Sequence, residues 1–489
     1  MNKLKNTMTA ALLAASSMLA IATTAQAGEA EDAVINKVIN AYGGDKLTNL
    51  RSIRIQDTYK NHVPGQGYTS GYVEFTLLKQ DAQLDLVNER GSIEGWSANW
   101  NFTFNTRTVT TGDDIVTINY NSGDYQPAAF ADYYTAYGAA IRITDTLLAH
   151  QLSLRAESAE YQGEAIYLAR RHEMLSFEMP SSPVVTLYVD SETGLISKMV
   201  RRTPAFGDLT YQFRNHTFSG GIAYAADFEF FVGDDVNILT LSRDVSFNAV
   251  RPSTFAVDRG VEQEPARVDT SETTVDEIAP GVHHVGTGFG YTTFVDAGDH
   301  VIAVGGYPGL NDRYAAYLEA AGHEKPLRYQ IATHHHTDHL GGMGEAFALN
   351  ATIVSPANAV ANINAAVGED VPENRLMILD EKTTLGPVEV YDIATSHAES
   401  YAAVYIPAAK AVFQADHYNG LYVDGPSPAG VGTVTFKKAI DDLGLDVETL
   451  LSAHGRKAVA WSEVEQAVAV YDPSPCVSGR PICRGVTTE

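Results

Sequence analysis

The chain has 489 residues, 45% of them hydrophobic, with a formal net charge of −26 and a sequence pI of about 4.9. That length sets an expectation of two or three domains, and the apolar share excludes a disordered or collagen-like chain. So acidic a surface repels phosphate backbones and argues against nucleic acid as a partner, but a local cation can reverse the sign for a small-molecule substrate.

In chain order, residues 1–27 read as a cleavable export signal. Lys3 and Lys5 form a basic start, Ala10 to Ala22 an apolar run, and Ala25-Gln26-Ala27 a small-residue cleavage site. The run is short for a membrane span, and no Cys follows the cleavage point to carry a lipid. The mature protein is therefore expected to be periplasmic or secreted, with no transmembrane anchor.

Residues 28–258 predict a β-rich domain. Asp32 to Tyr42 is helical, with Val34, Ile35, Val38 and Ile39 on one face and Gly43-Gly44 as its stop. Period-two strands follow at Ser52–Tyr59, Tyr72–Leu78, Gln83–Val87, Trp96–Phe104 and Ile115–Tyr120. After a helical interval, Phe130–His150, they resume from Glu164 to Asn248, with Asp190-Ser191-Glu192-Thr193-Gly194 as a tight turn. Ala41-Tyr42-Gly43-Gly44, Asp190 to Leu195 and the strand rhythm resemble the β half-barrel of periplasmic lipoprotein-carrier proteins. That resemblance implies a concave face for an apolar ligand or a partner; the alternative is a domain that shields or positions its neighbour. No metal or nucleophile constellation occurs in this half. Residues 259–275 lose all periodicity and read as a linker.

From residue 276 to 472 strands alternate with helices, an α/β pattern. The apolar run Leu327 to Thr333 leads into His334-His335-His336-Thr337-Asp338-His339. Here His334, His336, Asp338 and His339 place four metal-ligand types within six residues, in a chain with only 15 histidines. Such a cluster belongs in a loop after a strand, because neighbouring side chains on a regular element diverge. Imidazole and carboxylate suit zinc, with iron or manganese as alternatives. Three further ligand types stand at the ends of apolar strands: His397, Asp416 and His454. Singly, each reads as a turn or capping residue. Together with the motif they read as a second set of ligands.

The order His334-x-His336-x-Asp338-His339, then His397, Asp416 and His454, resembles the metallo-β-lactamase-fold hydrolases over roughly Glu277 to Tyr471. The resemblance implies an αββα sandwich with a dinuclear zinc site at one edge. His334, His336 and His397 would hold the first ion, Asp338, His339 and His454 the second, and Asp416 would bridge them. The implied function is hydrolysis of an ester, thioester, lactone or amide-type bond by a water that the ions deprotonate, with Asp338 as the catalytic residue that orients it. Two departures stand out. The early strand Val301-Ile302-Ala303-Val304 lacks the carboxylate the family places near its ligands. Asp416 stands where true β-lactamases carry Cys or Ser, and matches the thioesterase-, lactonase- and glyoxalase-like members. Rival readings are a periplasmic carrier of an apolar ligand with a structural metal, and a mononuclear iron oxygenase on the same scaffold.

Several other residues carry narrower expectations. His335 should point away from the metal and bond to backbone; His283 and His284 alternate on a strand, so one could approach the groove, with solvated strand residues as the default reading. Tyr418, in the glycine-rich loop with Tyr422 after Asp416, is a candidate substrate contact. Cys476 and Cys483, the only cysteines, should close a small disulfide loop in the 473–489 tail.

Overall fold

The computed structural model describes residues 28–99, 101, 103–204, 206–264, 270–420, 426–473 and 480–483. The expected export signal, Tyr422 and Cys476, and with it the Cys476–Cys483 pairing, lie outside these residues. No helix among them is long and apolar enough to cross a membrane. The chain divides into two compact units. The first comprises residues up to Asn61, Leu77–Trp96 and Thr106–Glu262; the second comprises His62–Thr76, Ser97–Asn105 and everything from Gln263 onward.

The first unit is dominated by a fourteen-stranded sheet built from two meanders. They join where Ser52–Asn61 pairs antiparallel with Asp235–Phe247, with a bulge between Thr58 and Tyr59. Between the meanders the chain forms two helices, Tyr133–Arg142 and Asp145–Leu154, within and just beyond the predicted helical interval. Asp132 starts the first by accepting a hydrogen bond from Thr135 N, which satisfies one of the orphan donors of a helix end. One core cluster joins Val34 and Val38 of helix 28–41, Tyr42 just after it, and Leu147, Leu148 and Leu152 to Leu187, Met199, Phe213 and Phe228 of the sheet. Inside it, Arg243 Nε and Nη2 donate to Asp57 Oδ1 and Oδ2 at 2.8 and 2.9 Å, and Nη1 donates to Ile143 O at 2.9 Å. Both members of this ion pair are buried, so each depends on the other for its charge compensation.

The second unit holds two sheets. The seven-stranded one runs in chain order from Thr274–Ala279 to Leu376–Ile378, antiparallel at first and parallel from Val301–Val304 onward. The six-stranded one runs from Lys382–Leu385 to Gly455–Ala460. Alternation along Val301–Val304 sorts the layers. Ile302 and Val304 join Ile331, Val354, Val390, Val404, Val412 and Leu450 in a core shared by both sheets. Val301 and Ala303 instead pack on Leu310, Tyr314 and Tyr317 of helix Leu310–Ala321. Phe436 and Ile440 of helix Val431–Leu443 and Trp461 and Val464 of helix Trp461–Ala469 join the shared core. The unit is therefore a mixed α/β arrangement of two sheets with helices packed on them.

Candidate metal centre

The ligand candidates sit where strands of this unit end. Strand Leu327–Ile331 is parallel to its neighbours and buried at Leu327, Gln330 and Ile331, and the residues after it, Ala332 to His336, remain buried. A single 3₁₀ turn, Thr337–His339, then folds Asp338 and His339 back beside His334. His397 follows strand Val388–Ile393, Asp416 follows Ala411–Gln414, and His454 follows Thr449–Ser452.

These seven side chains converge as two overlapping groups. Ligand atoms of His334, His336, His397 and Asp416 lie within 4.8 Å of one another, and so do those of Asp338, His339, Asp416 and His454. Asp416 is common to both, and its two oxygens divide the work. Oδ2 lies 3.3 Å from His334 Nε2 and 3.3 Å from His397 Nε2. Oδ1 lies 3.0 Å from His339 Nε2 and 3.2 Å from His454 Nε2. Asp338 Oδ2 approaches His339 Nε2 at 3.2 Å and His454 Nε2 at 3.8 Å. Buried Asp416 Oδ2 has no hydrogen-bond partner. A carboxylate oxygen so placed, ringed by imidazole nitrogens, fits a cation.

The proton balance agrees. Burial pushes His334 well below the usual imidazole value, reinforced by His336 and His339, and pushes His336 down to about 3 with help from His397. Both are neutral at physiological pH and offer lone pairs. Burial opposes charge on His339, yet Asp416 and Asp338 outweigh it and push its pKa up to about 10. Burial would raise the carboxyls of Asp416 and Asp338 as well. Neighbouring His339 reverses this in both, with His397 helping at Asp416, and holds them below the usual range. A proton between two carboxylates marks a place where a divalent cation would be favoured.

Outer contacts aim the rings. His334 Nδ1 meets Thr333 Oγ1 at 3.1 Å, and Tyr401 stacks on the ring at 5.0 Å between centroids. His454 Nδ1 meets Phe289 O at 2.8 Å, which turns Nε2 toward Asp416. The Nδ1 atoms of His339 and His397 are buried without a hydrogen-bond partner, and strand Val301–Val304 supplies no carboxylate. Support comes instead from a segment that holds no ligand type aimed at a metal. Gly67 O accepts from His336 Nε2 and from His335 Nε2, each at 2.9 Å, and Gln66 Nε2 donates to Asp338 Oδ1 at 2.7 Å. Asn101 Nδ2 donates to Asp416 O at 3.0 Å. Sequence reasoning passed over all three residues; Gln66 and Gly67 carry only the turn chemistry of Pro64-Gly65-Gln66-Gly67 as a local signal, and Asn101 carries none.

His335 thus turns to a backbone carbonyl, away from the ligand cluster. Two other expectations are corrected. Tyr418 is buried in the core, and its hydroxyl donates to Ser427 O at 3.1 Å and Glu463 Oε1 at 3.2 Å. Its position in the core leaves no face for a substrate. His283 and His284 are buried rather than solvated, and His284 bonds Thr293 Oγ1 and Gly455 O at 3.0 and 2.8 Å, because helix and second sheet cover both faces of their strand.

No protein-family model matches the chain, and no curated protein matches it. Among solved structures, similar ones include the DIM-1 metallo-beta-lactamase, 13% identical, covering 40% of this chain and 96% of its own, with a TM-score of 0.32. The metallo-beta-lactamase FIM-1 from Pseudomonas aeruginosa in its mono-zinc form is 16% identical, with 42% and 96% coverage and a TM-score of 0.33. A metallo beta lactamase from Erythrobacter litoralis is 19% identical, with 42% and 98% coverage and a TM-score of 0.31. The chemistry of the present chain rests on its own residues.

Proposed function

We propose that this chain is an exported hydrolase of the metallo-β-lactamase type, with two zinc ions, that cleaves an ester, thioester, lactone or amide-type bond in a small molecule. The observation that carries the reading is the division of Asp416, one oxygen toward each pair of histidines. His334, His336 and His397 would hold one ion, Asp338, His339 and His454 the other. A pair of such ions supplies Lewis acidity and a water acidified to near neutrality.

The protein's own share is positioning and proton handling. Neutral His334 and His336 bind without having to lose a proton first, so these two ligands are ready at neutral pH. Asp338 has the most exposed side chain of the ligand set, at 40%. Its carboxyl is ionised at neutral pH and can take a proton from water and return it to a leaving atom. Aspartate rather than Cys or Ser at 416 favours ester- and thioester-type substrates over β-lactams. The export reading rests on the basic, apolar and small-residue order of residues 1–27.

The test is elemental analysis of the purified mature protein beside turnover of a lactone, a thioester and a β-lactam. Two equivalents of zinc, with hydrolysis abolished by a chelator and restored by zinc, are expected. A protein that binds no divalent metal, or one that takes up iron and consumes oxygen, would overturn the reading.

A further inference from the structure

The second unit includes a segment distant in sequence from every ligand: His62–Thr76. It is tied to itself before it meets the motif. Glu74 Oε2 accepts from Tyr68 N at 2.5 Å and Oε1 from Thr69 N at 3.3 Å, while His62 Nδ1 meets Glu74 O at 2.8 Å. Gly65 has φ +73°, and a Cβ there would stand 2.7 Å from Thr337 Cγ2, inside the ligand motif. Close approach of backbone to the motif thus requires glycine at this position.

We propose that Gln66 and Gly67 are positioning residues of the metal centre, selecting which atoms of His336 and Asp338 face the ions. This rests on the dinuclear reading above. When His336 Nε2 carries the proton it gives to Gly67 O, Nδ1 is left as the ring's lone pair. A carbonyl oxygen has two lone pairs, so the same atom also holds His335 and prevents it from competing for the ion. Gln66 Nε2 occupies Asp338 Oδ1, so the remaining oxygen, Oδ2, is the one turned to His339 and His454. The amide is neutral, and it restrains the carboxylate without neutralising it. These contacts stand in for the carboxylate missing from strand Val301–Val304, and they fix tautomer and rotamer before an ion arrives.

The experiment uses the full mature protein, with zinc affinity measured by competition against a chromophoric chelator and with the visible spectrum of the cobalt-substituted form. Gln66→Met keeps the length of the side chain and removes the donor; Gln66→Glu replaces the donor by an acceptor. Both are expected to bind the first ion like the parent and to weaken the second by about 10–100-fold, with an altered cobalt spectrum at the second equivalent and an unchanged melting temperature without metal. Gly65→Ala, which drives backbone away from Thr337 and so moves both Gln66 and Gly67, should weaken both ions. Equal affinity for both ions in the parent and both Gln66 variants would overturn the positioning role while leaving the dinuclear reading intact. A parent protein that binds fewer than two ions would instead remove the reading on which it rests.

Discussion

Replacing Asp416 by Asn tests whether a single carboxylate serves both ions. Asn keeps the shape and one oxygen acceptor but removes the charge. In the structure that charge lies 3.0–3.3 Å from four imidazole nitrogens, two on each side. At an effective dielectric of about 20, a divalent ion held among those nitrogens would be attracted to the carboxylate charge by several kcal/mol. Part of this is offset, because an amide is cheaper to bury than a carboxylate. A net loss of about 3 kcal/mol per ion corresponds to roughly 100-fold weaker binding. The signature is the pattern as much as the size: Asp416→Asn weakens both equivalents, His397→Ala only the first, and His454→Ala only the second. The assay is chelator competition on the full chain, with circular dichroism to confirm the fold. Loss of one equivalent alone, or none, in Asp416→Asn would refute the shared-ligand geometry.

Asp338→Asn should lower kcat by roughly 10²–10⁴-fold while the first ion stays bound, read from turnover and metal content together. Removing both ions with a chelator should lower the melting temperature, since saturation at about 100 times Kd stabilises by roughly 2.7 kcal/mol. Asp57→Ala should cost about 3–5 kcal/mol in urea unfolding, because Arg243 would keep its charge with no counter-ion; replacing both residues by apolar ones should recover much of the loss. Burial, with Arg155 adding to it, pushes His150 down to about 4 from an ordinary value of 6.5. The unfolded chain therefore binds a proton that the folded one refuses. His150 should contribute nothing above about pH 6.5 and a loss of roughly 3 kcal/mol as pH drops toward 4, a share of the acid-side loss that is absent in His150→Gln.

Much of the metal centre was legible because its ligands are polar residues at the ends of apolar strands. Val388–Ile393, Ala411–Gln414 and Thr449–Ser452 all announce themselves by composition, and each is followed within a few residues by a ligand type. Helix Leu310–Ala321 belongs to the same alternation, and its apolar stripe faces Val301 and Ala303. The short strands Leu376–Ile378 and Lys382–Leu385 escaped notice: three or four residues do not establish a period. Tyr418 was misplaced because proximity in sequence to Asp416 says nothing about direction; two residues further on, the side chain turns into the core. Gln66, Gly67 and Asn101 were invisible for a different reason. Their role depends on hydrogen bonds across 268 to 315 residues, and neither an amide nor a glycine carbonyl has a spacing rule that reveals such a partner.

The segment that carries Gln66 begins directly after Asn61 and ends at Thr76, so both its ends continue into the long sheet. Cutting the gene at codons 259–275, the obvious place to harvest the hydrolytic half, would leave the glutamine behind on the discarded piece. Such a fragment would still own every ligand, yet it would meet zinc with two of them unguided. Domain shuffling would have to carry this loop along, which makes the pair of units a single heritable package.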